Sequence, residues 1–138
     1  MTMINNWDIN SARNNRVLRA TPDGRVERRF LVSDLGATFG KMGSGFFSGR
    51  SKWNVDDFRR ERFIEKTEGG MVYLAYRGYD KIERVPLEHA RWFASLASQL
   101  TTPQLRRAFE AAGATPAEVE GFSTKLAEKI STLQQAVK

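Results

Sequence analysis

Apolar residues alternate with polar ones in the first half of the chain and recur at helical spacing in the second. Arg16 to Ala20 (RVLRA) and Val26 to Ser33 (VERRFLVS) have strand character and flank Thr21-Pro22-Asp23-Gly24. Proline sets φ at the first corner of that turn and glycine supplies the permissive position, so the pair is expected to form a β-hairpin. Phe63 to Glu68 and Met71 to Arg77 bracket Gly69-Gly70, a two-residue connection that predicts a second hairpin. Between them, residues 36–50 carry Gly36, Gly40, Gly43, Gly45 and Gly49, the density of a tightly turned loop. Asn54 then caps a short helix with Asp56 and Asp57 in its first turn.

From Pro86 onward the period changes. Leu87, Ala90, Phe93, Ala94 and Ala97 repeat as one face of a helix that starts at Pro86 and runs to about Leu100. Thr102-Pro103 and Thr115-Pro116 each begin a further helix, and Gly113 ends the middle one. The last helix, to about Val137, buries Val119, Phe122, Leu126, Ile130 and Leu133. The fold class expected is therefore α+β. Two β-hairpins are joined by a glycine-rich loop and a short helix, and a C-terminal three-helix unit follows.

At 138 residues, 41% hydrophobic and 28% charged, the chain suits one soluble globular domain. No apolar run reaches the roughly 18 residues of a membrane span, and no secretory signal is evident. The expected location is the cytoplasm. Cysteine is absent and His89 is the single histidine, which excludes disulfides, thiolate sites and multi-histidine zinc sites. His89 itself suits a helix surface. A metal here must take oxygen ligands, favouring magnesium or manganese over softer ions. The net charge of +6 and pI of about 10.0 favour anionic ligands. The basic residues form no stripe and show no aromatic-plus-basic pattern of an RNA-binding sheet, so nucleic acid is not expected as a partner and a solvated, arginine-rich surface is the plain reading.

The chemistry lies in the first 37 residues. Asp8 is followed by Asn14 and Asn15, then the predicted hairpin, then Asp34-Leu35-Gly36. This order resembles the catalytic loop and metal-binding segment of the protein-kinase-like superfamily. The family pattern has Asp, four residues, Asn, and later Asp-Phe-Gly. The interval from Asp8 to Asn14 is longer than the pattern, Trp7 stands where the family has arginine, and Leu35 replaces the phenylalanine. Residues from Asp34 to the segment around Arg91-Trp92 are similar to the tails of bacterial kinase-like proteins.

The resemblance implies a truncated C lobe, with residues 5–85 as catalytic-loop and hairpin region and residues 86–138 as helical region of one domain. It implies that Asp8 orients the attacking group, and that Asn14 or Asn15, together with Asp34, holds a divalent metal. Too few residues precede Trp7 for a nucleotide lobe, and Gly36-Ala37-Thr38-Phe39-Gly40-Lys41 lacks the spacing of a phosphate-binding loop, so no ATP is expected. The implied activity is metal-dependent hydrolysis of a small phosphate ester, and the alternative is a non-catalytic remnant of a phosphotransferase. Met1-Thr2-Met3-Ile4 resembles the leader of a cloning-vector β-galactosidase fragment, which sets it outside the fold. Loss of a covering lobe leaves Trp7, Ile9, Phe39, Phe46, Phe47 and Trp53 as candidates for an open apolar face, and hence predicts a homodimer.

Overall fold

The structure, a computed structural model, describes residues 2–7, 15–19, 28–32, 35–43, 49–75 and 84–138, the segments 15–19 and 28–32 as backbone. Its architecture is mixed α+β. Strands β1 (Asn15–Arg19) and β2 (Arg28–Val32) pair antiparallel, with Asn15 opposite Val32 and Arg19 opposite Arg28. The second sheet has three antiparallel strands in the order β3 (Ile64–Glu68), β4 (Met71–Leu74), β5 (Arg84–Pro86). Gly69 and Gly70 connect β3 to β4 at φ +57° and +74°. Two consecutive positive φ values define the turn whose twist matches a hairpin, and glycine reaches both without a Cβ clash.

Strand β5 was not expected from the sequence. Pro86 closes it rather than opening the following helix, and Val72 pairs with Val85 across the ladder. Proline is tolerated at an edge strand because its missing N–H faces away from the ladder. Helix α2 (Leu87–Ala97) starts directly after it, and the Leu87 N–H donates to the Gly70 carbonyl at 2.9 Å.

Helices α3 (Thr102–Ala111) and α4 (Pro116–Ala136) begin at capping boxes. Thr101 and Gln104 exchange side-chain and backbone hydrogen bonds, as do Thr115 and Glu118, and proline occupies the first turn of each helix. Helix α4 spans 21 residues, about 31 Å at 1.5 Å per residue, and it is the spine of the structure. Helices α1 (Val55–Arg60), α2 and α3, strand β3 and the short 3-10 turn Thr2–Ile4 all pack on it. The predicted stripe of Val119, Phe122, Leu126, Ile130 and Leu133 is buried.

At the centre sit Phe39, Trp53, Phe58, Phe109 and Phe122, with ring centroids between 4.9 and 6.2 Å in edge-on and tilted contacts. Such geometries suit the ring quadrupoles better than a face-to-face stack. Residues 2–4, expected outside the fold, are part of it. Met3 belongs to the buried core cluster, and the Ile4 carbonyl accepts the Phe39 N–H at 2.8 Å. Among the described residues no helix is long and apolar enough to cross a membrane.

Candidate functional site

Three segments distant in sequence are knotted together next to the hairpin exit. Trp7 N–H donates to Ala37 O at 3.3 Å, Trp53 N–H to Thr38 O at 2.9 Å, and Asn54 N–H to Phe39 O at 2.7 Å. The Ser51 hydroxyl donates to Asp57 at 2.6 Å and accepts the Lys41 N–H at 2.9 Å. Three non-glycine residues in this knot lie in the left-handed region, Asn5 at φ +53°, Phe39 at +55° and Trp53 at +48°. That conformation is expensive for bulky side chains, on the order of 1–3 kcal/mol each, and persists only where surrounding contacts enforce it. Here the aromatic cluster and the backbone hydrogen bonds enforce it. Gly40 is required at its position because a Cβ would stand 2.2 Å from the Ser51 carbonyl oxygen.

The middle segment of the knot, residues 37–41, follows β2 in the chain. The register brings the start of β1 beside the end of β2, with Asn15 opposite Val32. Val32 is two residues from Asp34 in the sequence, and Asn15 adjoins Asn14. Asp8, Asn14 and Asp34 lie outside the described residues, and Asn15 is described by its backbone as the first residue of β1. The ligands expected from the sequence, Asp34 with Asn14 or Asn15, would offer oxygen donors of the kind that suits a hard divalent cation, with Asp8 apart from them as the orienting carboxylate. Among the described residues no group of three histidine or acidic side chains converges for a metal.

The most perturbed side chain in the described structure is Lys129. It occupies the inward stripe of α4 and is 1% exposed. Its Nζ donates to the Asn5 Oδ1 at 2.6 Å and to the Met3 carbonyl at 3.1 Å, and lies 4.3 Å from the centroid of the Phe58 ring and 5.6 Å from that of Phe63. Asn5 passes the connection on, its Nδ2 donating to the Gly40 carbonyl at 2.7 Å. Burial pushes the amine down to about 7, and the charge on Lys125 adds to the effect, while Glu61 and Glu128 oppose it. The aromatic faces also favour the ammonium, but desolvation dominates for a group this deeply buried.

Sequence reasoning missed this residue, although a signal was visible. Lys129 stands three residues after Leu126 and seven after Phe122, inside an otherwise apolar stripe. Beside it opens a cleft of about 210 Å³ whose rim carries Arg60, Arg62 and Lys125 together with Glu61 and Glu128. The cationic excess of that rim suits an anionic group.

A larger cleft of about 650 Å³ lies between α1 and the start of α4, walled by Trp53 and lined by Asp56, Arg59, Glu118 and Glu120. The two glutamates are engaged. Hydrogen bonds from the Thr115 backbone N–H and then its hydroxyl hold Glu118 below the usual carboxylate range, and Arg106, then Thr124, do the same for Glu120. Acids committed in this way are poor proton acceptors at neutral pH.

The other candidates from the sequence are placed as follows. His89 is exposed and its Nε2 lies 3.6 Å from Glu88. Tyr73 is half-buried on β4 with the Lys66 Nζ 5.0 Å from its ring centroid, while Tyr76 and Tyr79 lie outside the described residues. Comparison of the chain with protein-family models, with curated proteins and with solved structures finds no match.

Proposed function

We propose that this chain hydrolyses phosphate esters with a divalent cation, magnesium or manganese, held where the ends of the first hairpin meet, and that it is similar to a kinase-like C lobe. The observation that supports this reading is the antiparallel register of β1 and β2. It sets Asn15 opposite Val32, so the segments bearing Asn14, Asn15 and Asp34 leave the hairpin at the same end.

In this reading Asp34 and Asn14 or Asn15 would hold the cation, and Asp8 would accept a hydrogen bond from the attacking water and orient it toward phosphorus. The cation would supply Lewis acidity and neutralise charge developing on the phosphoryl oxygens. The net charge of +6 draws anionic esters toward the molecule. No nucleotide is needed, because water rather than a protein hydroxyl receives the phosphoryl group.

A panel of activated phosphate mono-, di- and triesters, assayed with and without magnesium or manganese, tests the proposal. Metal-dependent turnover is expected, and Asp34→Ala should lower it by about a hundredfold or more, since even partners behind a metal ligand contribute 10- to 100-fold. Turnover insensitive to a chelator and to Asp34→Ala would sink the metal mechanism. Absence of turnover together with no thermal shift on adding either metal would leave the chain a non-catalytic remnant.

A further inference from the structure

Helix α2 is packed the wrong way round for a monomer. Its inward row is Ala90, Ala94 and Ala97, while its large apolar side chains point to solvent. Trp92 is 65% exposed, Phe93 42%, Leu96 46% and Leu100 49%. Trp92 and Leu96 are spaced four residues apart on α2 with Phe93 beside them, so they share one face, and Leu100 follows in the turn just past the end of the helix. Monomers seldom present such a row without a use for it.

We propose that this face of α2 docks a second copy of the chain through a twofold axis, with the two α2 helices antiparallel. Three observations select a second copy over a foreign partner. The first is charge. The protein carries +6 overall, which opposes association of two copies through most faces, but the outward row of α2 presents Glu88, His89, Trp92, Phe93, Leu96 and Gln99 and contains no lysine or arginine. The neighbouring Arg91 is turned to the end of α4, its Nε donating to the Val137 carbonyl at 2.7 Å and its Nη2 to that of Lys138 at 3.4 Å. An acidic partner would be drawn to the arginine-bearing surfaces instead.

The second observation is shape. A groove of about 200 Å³, lined mainly by apolar side chains including Val72, Leu74 and Val85, opens beside His89 and Phe93 on the flank of the same helix. An exposed indole and an apolar groove on the flank of the same helix offer a knob and a hole to a twofold partner. The third is area. A large side chain offers on the order of 150–250 Å², so four exposed by 42–65% leave roughly 400 Å² of apolar surface per copy. A pair then covers about 800 Å² before its polar rim is counted, and the rim brings it near the lower limit of specific interfaces, about 1,200 Å². This inference does not depend on the phosphate-ester reading. It also moves the interface away from the residues expected in the sequence. Phe39 is held within the aromatic cluster, Trp7 is half-buried in the knot, Trp53 packs on Phe122 with 38% of its surface still open, and Ile9, Phe46 and Phe47 lie outside the described residues.

Light scattering coupled to size exclusion, run over a series of micromolar concentrations, decides the matter. The wild-type chain should run at twice its 15.7 kDa. Leu96→Lys places like charges against each other across the axis and should raise the dissociation constant at least about tenfold, with an unchanged far-UV circular dichroism spectrum because the site is exposed. Trp92→Ala should weaken the dimer without adding charge. A wild-type chain that stays at 15.7 kDa, or dimers that survive both substitutions, would overturn the proposal.

Discussion

The buried amine of Lys129 makes the stability of the fold depend on pH in a direction opposite to that of most surface charges. An ordinary lysine loses its proton near 10.5, and in the folded chain Lys129 does so at about 7. Below pH 7 both folded and unfolded chains hold the proton, and the full cost of burying the charge is present. Between about 7 and 10.5 the unfolded chain binds more protons than the folded one, so stability rises with pH, and above 10.5 the dependence ends. The interval from 10.5 to about 7, at about 1.4 kcal/mol per pH unit, sets an upper limit of roughly 4–5 kcal/mol. The rings of Phe58 and Phe63, which favour the ammonium, trim it.

The neutral amine keeps two hydrogens, enough for the Asn5 Oδ1 and the Met3 carbonyl. The link between α4 and the first residues therefore persists on both sides of the titration. Urea unfolding from pH 6 to pH 10, compared between wild type and Lys129→Met, isolates the effect. Other groups titrate in both proteins and cancel, and the two acceptors left without a donor in the variant add an offset that does not vary with pH. The wild-type curve should climb relative to the variant by several kcal/mol across the window. Parallel curves would refute the reasoning, because Lys129 would then keep its proton as readily when folded as when unfolded.

Two further substitutions test the packing. Met3→Ala empties a core position on the 3-10 turn and should cost about 2–5 kcal/mol in chemical denaturation; a loss under about 0.5 kcal/mol would mean that the first residues are not part of the core. Gly121→Ala would set a Cβ 2.2 Å from Val55 Cγ1 at the contact of α1 with α4. Overpacking should outweigh the gain in helix propensity and lower stability by about 1–3 kcal/mol, and Val55→Ala in the same chain should restore part of the melting temperature.

Local chemistry was legible in the amino-acid sequence. The Gly69-Gly70 turn, the Asn54 and Thr115 caps and the stripe of α4 depend on neighbours within a few residues, so turn preference and the 3.6-residue period were enough to place them, while the cap of α3 falls on Thr101, one residue before the Thr102 expected. The first hairpin was legible too, from its turn residues and flanking strands, and β1 and β2 pair with Asn15 opposite Val32, while Asp8, Asn14 and Asp34 lie outside the described residues. What required tertiary structure was every contact between distant segments. Strand β5 is three residues long and gains its identity from the edge of β4. Residues 1–4 read as a leader, but the Ile4 carbonyl accepts the Phe39 N–H and Met3 is part of the core.

Lys129 drew no reading from the sequence, and only the packing of α4 sets it under Asn5 and Met3. The periodicity of α2 likewise assigned Phe93 to the core. The close approach of α2 to the rest of the fold admits only the alanine row, so the larger side chains were left outside. Spacing along one helix specifies which residues share a face. Which face turns inward is decided by the volume available against its neighbours, a property of the packed molecule and not of the helix.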